Sequence, residues 1–177
     1  MHNHIEKVLI DEAVIQKRLD VLAEKVTEEF EGKSIVVIAL LKGAILFMSD
    51  LLRRIPLTME IECLNVSSYH GGTESSGEVS FLDRKLPDVS GKSVLLLDDI
   101  LDTGRTLDAV IKKLSEHGAS EVKTCVLLTK DIERDIVLEA DFTGFLIGDE
   151  FVVGYGLDYQ GKYRNLPYVG ILKESAI

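Results

Sequence analysis

Short apolar segments recur along the chain and alternate with stretches that have helical periodicity. The predicted strands fall at about residues 34–41, 59–66, 94–98, 122–128 and 142–147, and the one at 59–66 alternates apolar with polar residues. Continuous apolar runs of this length are typical of strands covered on both faces, and their alternation with helices predicts an α/β fold with a parallel sheet. With 177 residues, 46% of them hydrophobic, and no Pro/Ser-rich linker or internal repeat, the chain is predicted to be a single domain over residues 1–177.

The apolar run at residues 94–97 leads through acidic residues and a turn into a helix. The helix is marked by an apolar stripe at Leu107, Val110, Ile111 and Leu114, and Gly118 supplies a stop after it. The intervening turn therefore lies at the carboxyl end of a strand, where open α/β sheets bind ligands.

This turn, residues 102–106, has the residue types of a phosphate site. Backbone amides at the amino end of a helix attract a phosphate, and Gly104 lets the backbone approach closely. The hydroxyls of Thr103 and Thr106 can add further donors. The sequence therefore predicts that a phosphate group binds at this turn.

The three carboxylates near the turn need other partners. Asp98 and Asp99 would repel an anion, so we expect them to bind sugar hydroxyls or a hard cation such as Mg²⁺, which prefers oxygen ligands shared with phosphates. Asp102 stands apart in the turn, and its placement suits a proton acceptor or donor for the reacting group. Together these residues outline a sugar-phosphate site.

Residues 94–106 resemble the phosphoribosyl-pyrophosphate-binding signature of the type I phosphoribosyltransferases. The shared pattern is an apolar strand, two acids, two apolar residues, Asp-Thr-Gly, the basic Arg105 and Thr106. With Asp at position 102, the pattern is most similar to the hypoxanthine-guanine (6-oxopurine) branch. The resemblance implies a parallel sheet flanked by helices, with a small hood formed by the terminal segments, and a 5′-phosphate held by residues 102–106.

Two lysines follow other predicted strands. Lys42 and Gly43 end the apolar run at 35–41 and offer a cation and a closely approaching backbone to an anionic group. The resemblance makes that group pyrophosphate and implies a cis peptide bond between Leu41 and Lys42. Lys130 can donate to an exocyclic carbonyl oxygen, which in the family is O6 of the purine. Spacing alone favours a solvated lysine, whereas the position of Lys130 after the fourth apolar run favours a functional one.

Residues 150–167 are similar to the family's purine-binding and second-metal segment. The resemblance implies that Phe151 stacks on the base and that Val152 contributes main-chain contacts to its edge. It also implies that Asp158 ligates a second Mg²⁺ and that Arg164 contacts pyrophosphate. Without the resemblance the aromatic residues would more often be structural, and we assign Tyr155 to that class.

The small-residue stretch that begins near residue 67 cannot build a core. A loop this long in a compact domain is usually a lid or a segment without chemical role, and we predict a mobile lid near residues 68–77. In the resemblance, Ser68 and Tyr69 match the family's Ser-Tyr pair. Closure of such a lid would exclude water from a reactive sugar cation.

Composition predicts a cytoplasmic protein. The amino terminus has no signal-peptide pattern and leads into an amphipathic helix near residues 11–30, and no apolar run has transmembrane length. Cys63 and Cys125 lie in predicted strands, which favours buried free thiols over a disulfide or metal site. A net charge of −10, with no basic cluster beyond short pairs such as Arg53-Arg54, predicts no nucleic-acid partner, and the lack of a transmembrane-length apolar run predicts no membrane partner.

The predicted reaction transfers the 5-phosphoribosyl group of phosphoribosyl pyrophosphate to N9 of hypoxanthine or guanine, giving IMP or GMP and pyrophosphate. In this reaction Asp102 is the catalytic residue and acts as acceptor or donor of the N7 proton. Asp98 and Asp99 bind the ribose hydroxyls and Mg²⁺. The resemblance also implies a homodimer or homotetramer. The alternatives are a nucleic-acid-binding regulator of the same fold and a Mg²⁺-dependent phosphohydrolase with an aspartate nucleophile, which would not explain Lys42-Gly43 or Lys130.

Overall fold

The structure is a computed structural model that describes residues 2–68, 79–82, 85–134 and 136–176. The helices in the described part are α1 (Glu12–Phe30), α2 (Ala44–Leu52) and α3 (Arg105–Glu116), with a short 3₁₀ turn at Glu174–Ala176. The strands are β1 (Ile5–Ile10), β2 (Ile35–Leu41), β3 (Met59–Ser68), β4 (Val79–Phe81), β5 (Ser93–Leu101), β6 (Glu121–Lys130), β7 (Phe142–Ile147), β8 (Val152–Val153) and β9 (Val169–Leu172).

The central sheet has the strand order β4-β3-β2-β5-β6-β7. Strands β2, β3, β5, β6 and β7 run parallel, and β4 pairs antiparallel with the end of β3. The predicted α/β fold with a parallel sheet is confirmed, and the antiparallel edge strand makes the sheet mixed. The carboxyl ends of β2, β5 and β6 meet at one edge, where the predicted phosphate turn lies.

The two faces of the sheet build separate cores. Along β2, Val37 and Ala39 pack in a cluster with α1 and α2, while Val36 and Ile38 pack in a cluster with α3. Because successive strand residues point to opposite faces, burial on both faces requires a continuous apolar run, which is the pattern seen in the sequence. Helix α1 begins after Asp11, whose carboxylate accepts a hydrogen bond from the Val14 amide at 3.0 Å.

The two ends of the chain form a second, smaller sheet. Strand β9 pairs antiparallel with β1 on one side and with β8 on the other. Its core consists of Ile5, Val153, Leu166 and Leu172, all buried. This sheet confirms the predicted hood. The segment that follows β8 leads to Asp158, which lies at the edge of the central sheet.

Three features differ from the sequence predictions or lie outside the described residues. Strand β5 continues to Leu101, three residues beyond the predicted end, because Asp98, Ile100 and Leu101 keep their pairing with β6. Cys63 is exposed rather than buried, because its face of β3 is left open: Ile61 on the same face is also exposed, whereas Leu64 on the opposite face is buried. Residues 69–77 of the predicted lid, with Tyr69, lie outside the described residues. No helix in the described ranges combines the length and the apolar character needed to cross a bilayer.

Candidate active site

Two adjoining clefts lie at the edge of the sheet where β2, β5 and β6 end. The first has a volume of about 340 Å³ and contains most of the predicted sugar-phosphate residues. Those that line it are Lys42, Gly43, Asp98, Asp99, Asp102, Thr103, Gly104, Thr106, Asp158 and Arg164. The fold thus brings together three segments that are far apart in the sequence.

The second cleft has a volume of about 190 Å³ and contains the predicted base-binding residues. It is lined by Lys130, Glu150, Phe151, Val152 and Leu157, and it shares Asp99, Ile100, Asp102 and Asp158 with the first cleft. Of the other predicted residues, Arg105 is the exposed first residue of α3 and is not among the residues that line either cleft. Ser68 ends β3, and its side chain lies outside the described part of the structure.

Gly104 sets the conformation of the phosphate turn. Its φ of 81° is left-handed, and α3 begins at the next residue. A methyl group at this position would be 3.7 Å from its nearest protein neighbours, so the dihedral angle rather than crowding within the protein requires glycine. The first-turn amides of α3 have no helical carbonyl to bond, which makes this end of the helix suitable for an anion.

Gly43 is required by close packing instead. A Cβ atom at Gly43 would overlap the Asp99 carboxylate, and a Cβ atom at Gly156 would overlap the Gly43 carbonyl oxygen. The β2–α2 loop is therefore held between Asp99 on β5 and the hood segment at Gly156. The Leu41–Lys42 peptide bond in this loop is cis, as the resemblance implied.

Asp98 and Asp99 are adjacent, partly buried carboxyl groups. Burial, and secondarily the charge of Asp99, raises the pKa of Asp98 well above its ordinary value. Burial also raises the pKa of Asp99, while the hydrogen bond to Asp98 and the charge of Arg164 oppose the rise. The Asp99 amide donates to Asp98 Oδ1 at 3.0 Å. Two carboxylates in this environment favour a bound proton or cation.

We expect Asp98→Asn to stabilise the free protein by about 1 kcal/mol at neutral pH. The pKa of Asp98 is higher in the folded than in the unfolded state, so ionisation of this carboxyl group destabilises the fold once the pH exceeds its unfolded-state pKa. The neutral asparagine side chain removes this destabilisation. The stabilisation should therefore be larger near pH 7 than near pH 4, measured as the free energy of unfolding in urea without divalent cations.

Asp141→Asn provides the control for this prediction. Burial raises the pKa of Asp141, but hydrogen bonds from Thr124 and the ion pair with Lys123 lower it by more, so the net shift is downward. The same substitution at Asp141 should therefore destabilise the fold at neutral pH. Equal effects of the two substitutions would contradict the electrostatic interpretation of the Asp98-Asp99 pair.

Lys130 and Asp102 face each other across the second cleft. Lys130 Nζ lies 3.7 Å from Asp102 Oδ2 and 3.2 Å from Asp149 Oδ1, and the lysine side chain is only 13% exposed. A largely buried ammonium beside a more exposed carboxylate can bind an oxygen and a ring nitrogen of one small ligand. Lys130 is thus placed as part of the cleft rather than as a solvated surface residue.

Asp158 and Arg164 form an ion pair at the hood side of the clefts. Arg164 Nη2 lies 2.6 Å from Asp158 Oδ1, and Arg164 Nη1 donates to the Gly156 carbonyl at 2.6 Å. The other Asp158 oxygen accepts from the Gly161 amide at 2.6 Å. The guanidinium is therefore fixed at the rim of the first cleft, where it can meet an anionic group.

Phe151 is a half-exposed aromatic residue, at 50% of its full exposure. Its ring contacts the Tyr159 ring edge-on, with 5.7 Å between centroids. By contrast, Val152 is buried, and so is Tyr155, whose hydroxyl donates to Asp50 at 2.6 Å. The assignment of Tyr155 to the structural class is confirmed, while an exposed aromatic ring at a cleft is suited to stacking.

The sequence analysis did not identify several residues of the clefts. Ile100, Glu150 and Leu157 line them, and Arg134 donates to the Asp102 carbonyl at 2.6 Å. Ile100 and Leu157 are adjacent to predicted site residues and could have been found by proximity. Arg134 had no sequence signal, because bonds to main-chain carbonyls depend on the fold and leave no spacing pattern.

The comparisons with known proteins show the family of the chain. The family model of the phosphoribosyl transferase domain matches residues 8–160, and the chain belongs to this family. A crystal structure of a hypoxanthine phosphoribosyltransferase from Staphylococcus aureus superimposes with a TM-score of 0.93 at 43% identity, covering 99% of this chain and 96% of that one. The fold is that of the type I phosphoribosyltransferases.

Two relatives illustrate the range of protein lengths. The chain is 46% identical over 169 residues to the hypoxanthine-guanine phosphoribosyltransferase of Lactococcus lactis, covering 96% of this chain and 92% of that protein. It is 47% identical over 173 residues to the bifunctional protein TilS/HprT of Listeria innocua, covering 98% of this chain but 27% of that protein. The chain thus spans about a quarter of the length of the bifunctional relative.

Proposed function

We propose that the protein transfers the 5-phosphoribosyl group of phosphoribosyl pyrophosphate to N9 of hypoxanthine or guanine, which yields IMP or GMP and pyrophosphate. The observation that carries this proposal is the pair of adjoining clefts that share Asp99, Asp102 and Asp158. One cleft has the residues of a phosphate site, and the other has an exposed aromatic ring and a largely buried ammonium. A reaction between a sugar phosphate and a flat base needs both.

In the first cleft, the chain would hold phosphoribosyl pyrophosphate at its two charged ends. The 5′-phosphate would bind the turn of Thr103, Gly104 and Thr106 at the start of α3. The pyrophosphate would bind Lys42, which is exposed, and Arg164, after the guanidinium exchanges its contact with Asp158. Both cations would stabilise the negative charge that develops on the leaving group.

The charge balance of the first cleft fits Mg²⁺ as a cofactor. Four carboxylates and two cationic side chains line it, so a polyanion would enter a site that is already negative. Among the described residues, however, no three or more acidic, histidine or cysteine side chains are grouped closely enough to hold one metal ion by themselves. Mg²⁺ typically binds through one or two carboxylates together with substrate oxygens, which fits Asp98 and Asp99 at the ribose and Asp158 near the pyrophosphate. Bound Mg²⁺ would neutralise substrate charge and polarise the departing pyrophosphate.

The base would lie in the second cleft, between Phe151 and the ends of β5 and β6. Stacking on an aromatic ring contributes about 1–3 kcal/mol per base in nucleic-acid complexes. The Lys130 ammonium would donate to O6. Asp102 would accept the proton from N7 as N9 bonds to the cation-like ribosyl carbon and the bond from that carbon to pyrophosphate breaks. The buried Val152 backbone would contact the edge of the base that carries C2.

We expect Lys130→Ala to weaken the use of hypoxanthine and guanine by about 1–3 kcal/mol, because an O6 acceptor loses its donor. The affinity for phosphoribosyl pyrophosphate should remain nearly unchanged. Lys123→Ala is the matched control, since Lys123 lies at the other end of β6 and pairs with Asp141 at 3.0 Å. Steady-state kinetics in both substrates separate the two effects. Loss of sugar-phosphate binding with retained base preference would place Lys130 in the other half of the site.

A substrate screen tests the proposed function. The protein is incubated with phosphoribosyl pyrophosphate and each of hypoxanthine, guanine, adenine, xanthine, uracil and orotate, with Mg²⁺ or with EDTA. We expect nucleotide from hypoxanthine and guanine in the presence of Mg²⁺ and none with EDTA. Nucleotide formation from adenine or orotate alone would assign the chain to another branch of the family.

We also predict that the protein is cytoplasmic and forms a homodimer or homotetramer.

The two alternative functions find less support in the same features. A nucleic-acid-binding regulator needs cationic surfaces for phosphates, whereas the chain carries a net charge of −10 and carboxylates outnumber cationic side chains in its clefts. A phosphohydrolase would use the first cleft and leave Phe151 and Lys130 without a role. It would also be detected by covalent phosphate on Asp98 or Asp99.

A further inference from the structure

Arg134 lies beside the clefts but belongs to no predicted motif. It follows the end of β6 by four residues and is partly buried. Its Nε donates to the Asp102 carbonyl at 2.6 Å, and its Nη2 donates to the Leu101 carbonyl at 3.3 Å and to the Lys130 carbonyl. One planar guanidinium therefore bonds the main chain at the ends of two strands.

The position of these bonds in the sheet is informative. The ladder between β5 and β6 ends with the pair Leu101 and Thr129. Asp102 and Lys130 are each the next residue, so the ladder no longer fixes their main chains relative to each other. The Arg134 guanidinium joins the two main chains at this point and extends the connection between β5 and β6 by one step.

The chemistry of the base makes this spacing important. O6 and N7 are neighbouring atoms on one edge of a 6-oxopurine. A donor to O6 and a proton acceptor at N7 must therefore keep a fixed distance, and Lys130 Nζ lies 3.7 Å from Asp102 Oδ2. A displacement of about 1 Å at a reacting group can lower the rate by about 100-fold.

We propose that Arg134 is a positioning residue that sets the spacing of Lys130 and Asp102 and so determines how the O6–N7 edge of the base is held. This proposal rests on the proposed function. Arg134 acts through three main-chain carbonyls and does not need to touch either substrate. A lysine cannot replace it fully, because an ammonium lacks the planar fork that bonds several carbonyls at once.

The test compares Arg134→Met with Arg18→Met. Arg18 provides a matched control, because it is also partly buried and donates to two main-chain carbonyls, Gly144 at 2.6 Å and Thr143 at 2.9 Å, but these tie α1 to β7. Both variants are purified as the full chain. Thermal unfolding, kcat, KM for hypoxanthine and the Kd for phosphoribosyl pyrophosphate are measured for each, after the wild type has been shown to form nucleotide.

For Arg134→Met we expect kcat/KM for hypoxanthine to fall about 10- to 100-fold, with a change in Kd for phosphoribosyl pyrophosphate of about threefold or less. Arg18→Met should lose similar thermal stability and keep both kinetic constants within about twofold. The kcat/KM of Arg134→Lys for hypoxanthine should lie between the values of wild type and Arg134→Met. If the methionine variant does not fold, the lysine variant tests the role of Arg134 instead.

Two results would overturn the role of Arg134. One is kcat/KM for hypoxanthine within about twofold of wild type in the folded Arg134 variants, which would make Arg134 a stability residue. The other is the same base-specific loss in Arg18→Met, which would make the effect general. A wild type that forms no nucleotide would instead refute the proposed function, before any variant is compared.

Discussion

Asp102→Asn is expected to lower kcat about 10²- to 10⁴-fold, the contribution of a positioned acid or base. The amide is close in shape to the carboxylate, and the main-chain bond from Arg134 to the Asp102 carbonyl does not involve the side chain. The fold and the affinity for phosphoribosyl pyrophosphate should therefore be retained. The variant loses the carboxylate that would accept the proton from N7.

Asp108→Asn controls for the chemical change. Asp108 lies in the first turn of α3 and pairs with Lys112 at 2.7 Å. It is not among the residues that line either cleft, so its kcat should stay within about twofold of wild type. Turnover of Asp102→Asn equal to that of wild type would show that Asp102 is only a turn residue.

Gly43→Ala is expected to weaken the binding of phosphoribosyl pyrophosphate about 100-fold, because the methyl group would overlap the Asp99 carboxylate. The loop cannot easily retreat, since Gly156 packs directly against the Gly43 carbonyl on its other side. Either Asp99 rotates away from the cleft or the β2–α2 loop moves with Lys42. Both changes disturb the pyrophosphate end of the site.

Titration calorimetry with phosphoribosyl pyrophosphate and Mg²⁺ measures this effect. Gly91→Ala is the comparison, because Gly91 has a φ of 69° and a Cβ atom there would have nothing within 4 Å. Alanine there should cost about 1 kcal/mol in stability and leave the affinity unchanged. Unaltered affinity in Gly43→Ala would show that the contact between Gly43 and Asp99 does not shape the site.

The sequence predicted the central sheet and the positions of its ligand-binding turns well. Each strand buried on both faces appears as a continuous apolar run, and the helix α3 appears as a stripe of spacing three and four. Lys42, Asp102 and Lys130 each follow such a run, so their placement at one sheet edge followed from topology alone. The extra residues of β5, through Leu101, were missed because acidic residues usually end a buried strand.

The rest depends on contacts between distant segments. The requirement for glycine at 43 comes from Asp99 and from Gly156, which no local pattern relates to it. Likewise, Tyr155 is buried in the cluster of α1 and α2, and its hydroxyl bonds Asp50, 105 positions earlier in the chain. Arg134 bonds carbonyls that any residue type would supply, so the sequence contains no partner to recognise.

The measurement that most directly tests the central claim is ³¹P NMR of the complete reaction. The protein is mixed with phosphoribosyl pyrophosphate, Mg²⁺ and hypoxanthine, and the phosphorus signals are followed with and without the base. If the protein transfers the phosphoribosyl group, the substrate signals are replaced by those of equal amounts of nucleoside monophosphate and pyrophosphate, and this occurs only when the base is present. Ribose 5-phosphate or inorganic phosphate formed without nucleotide would contradict transfer and indicate hydrolysis.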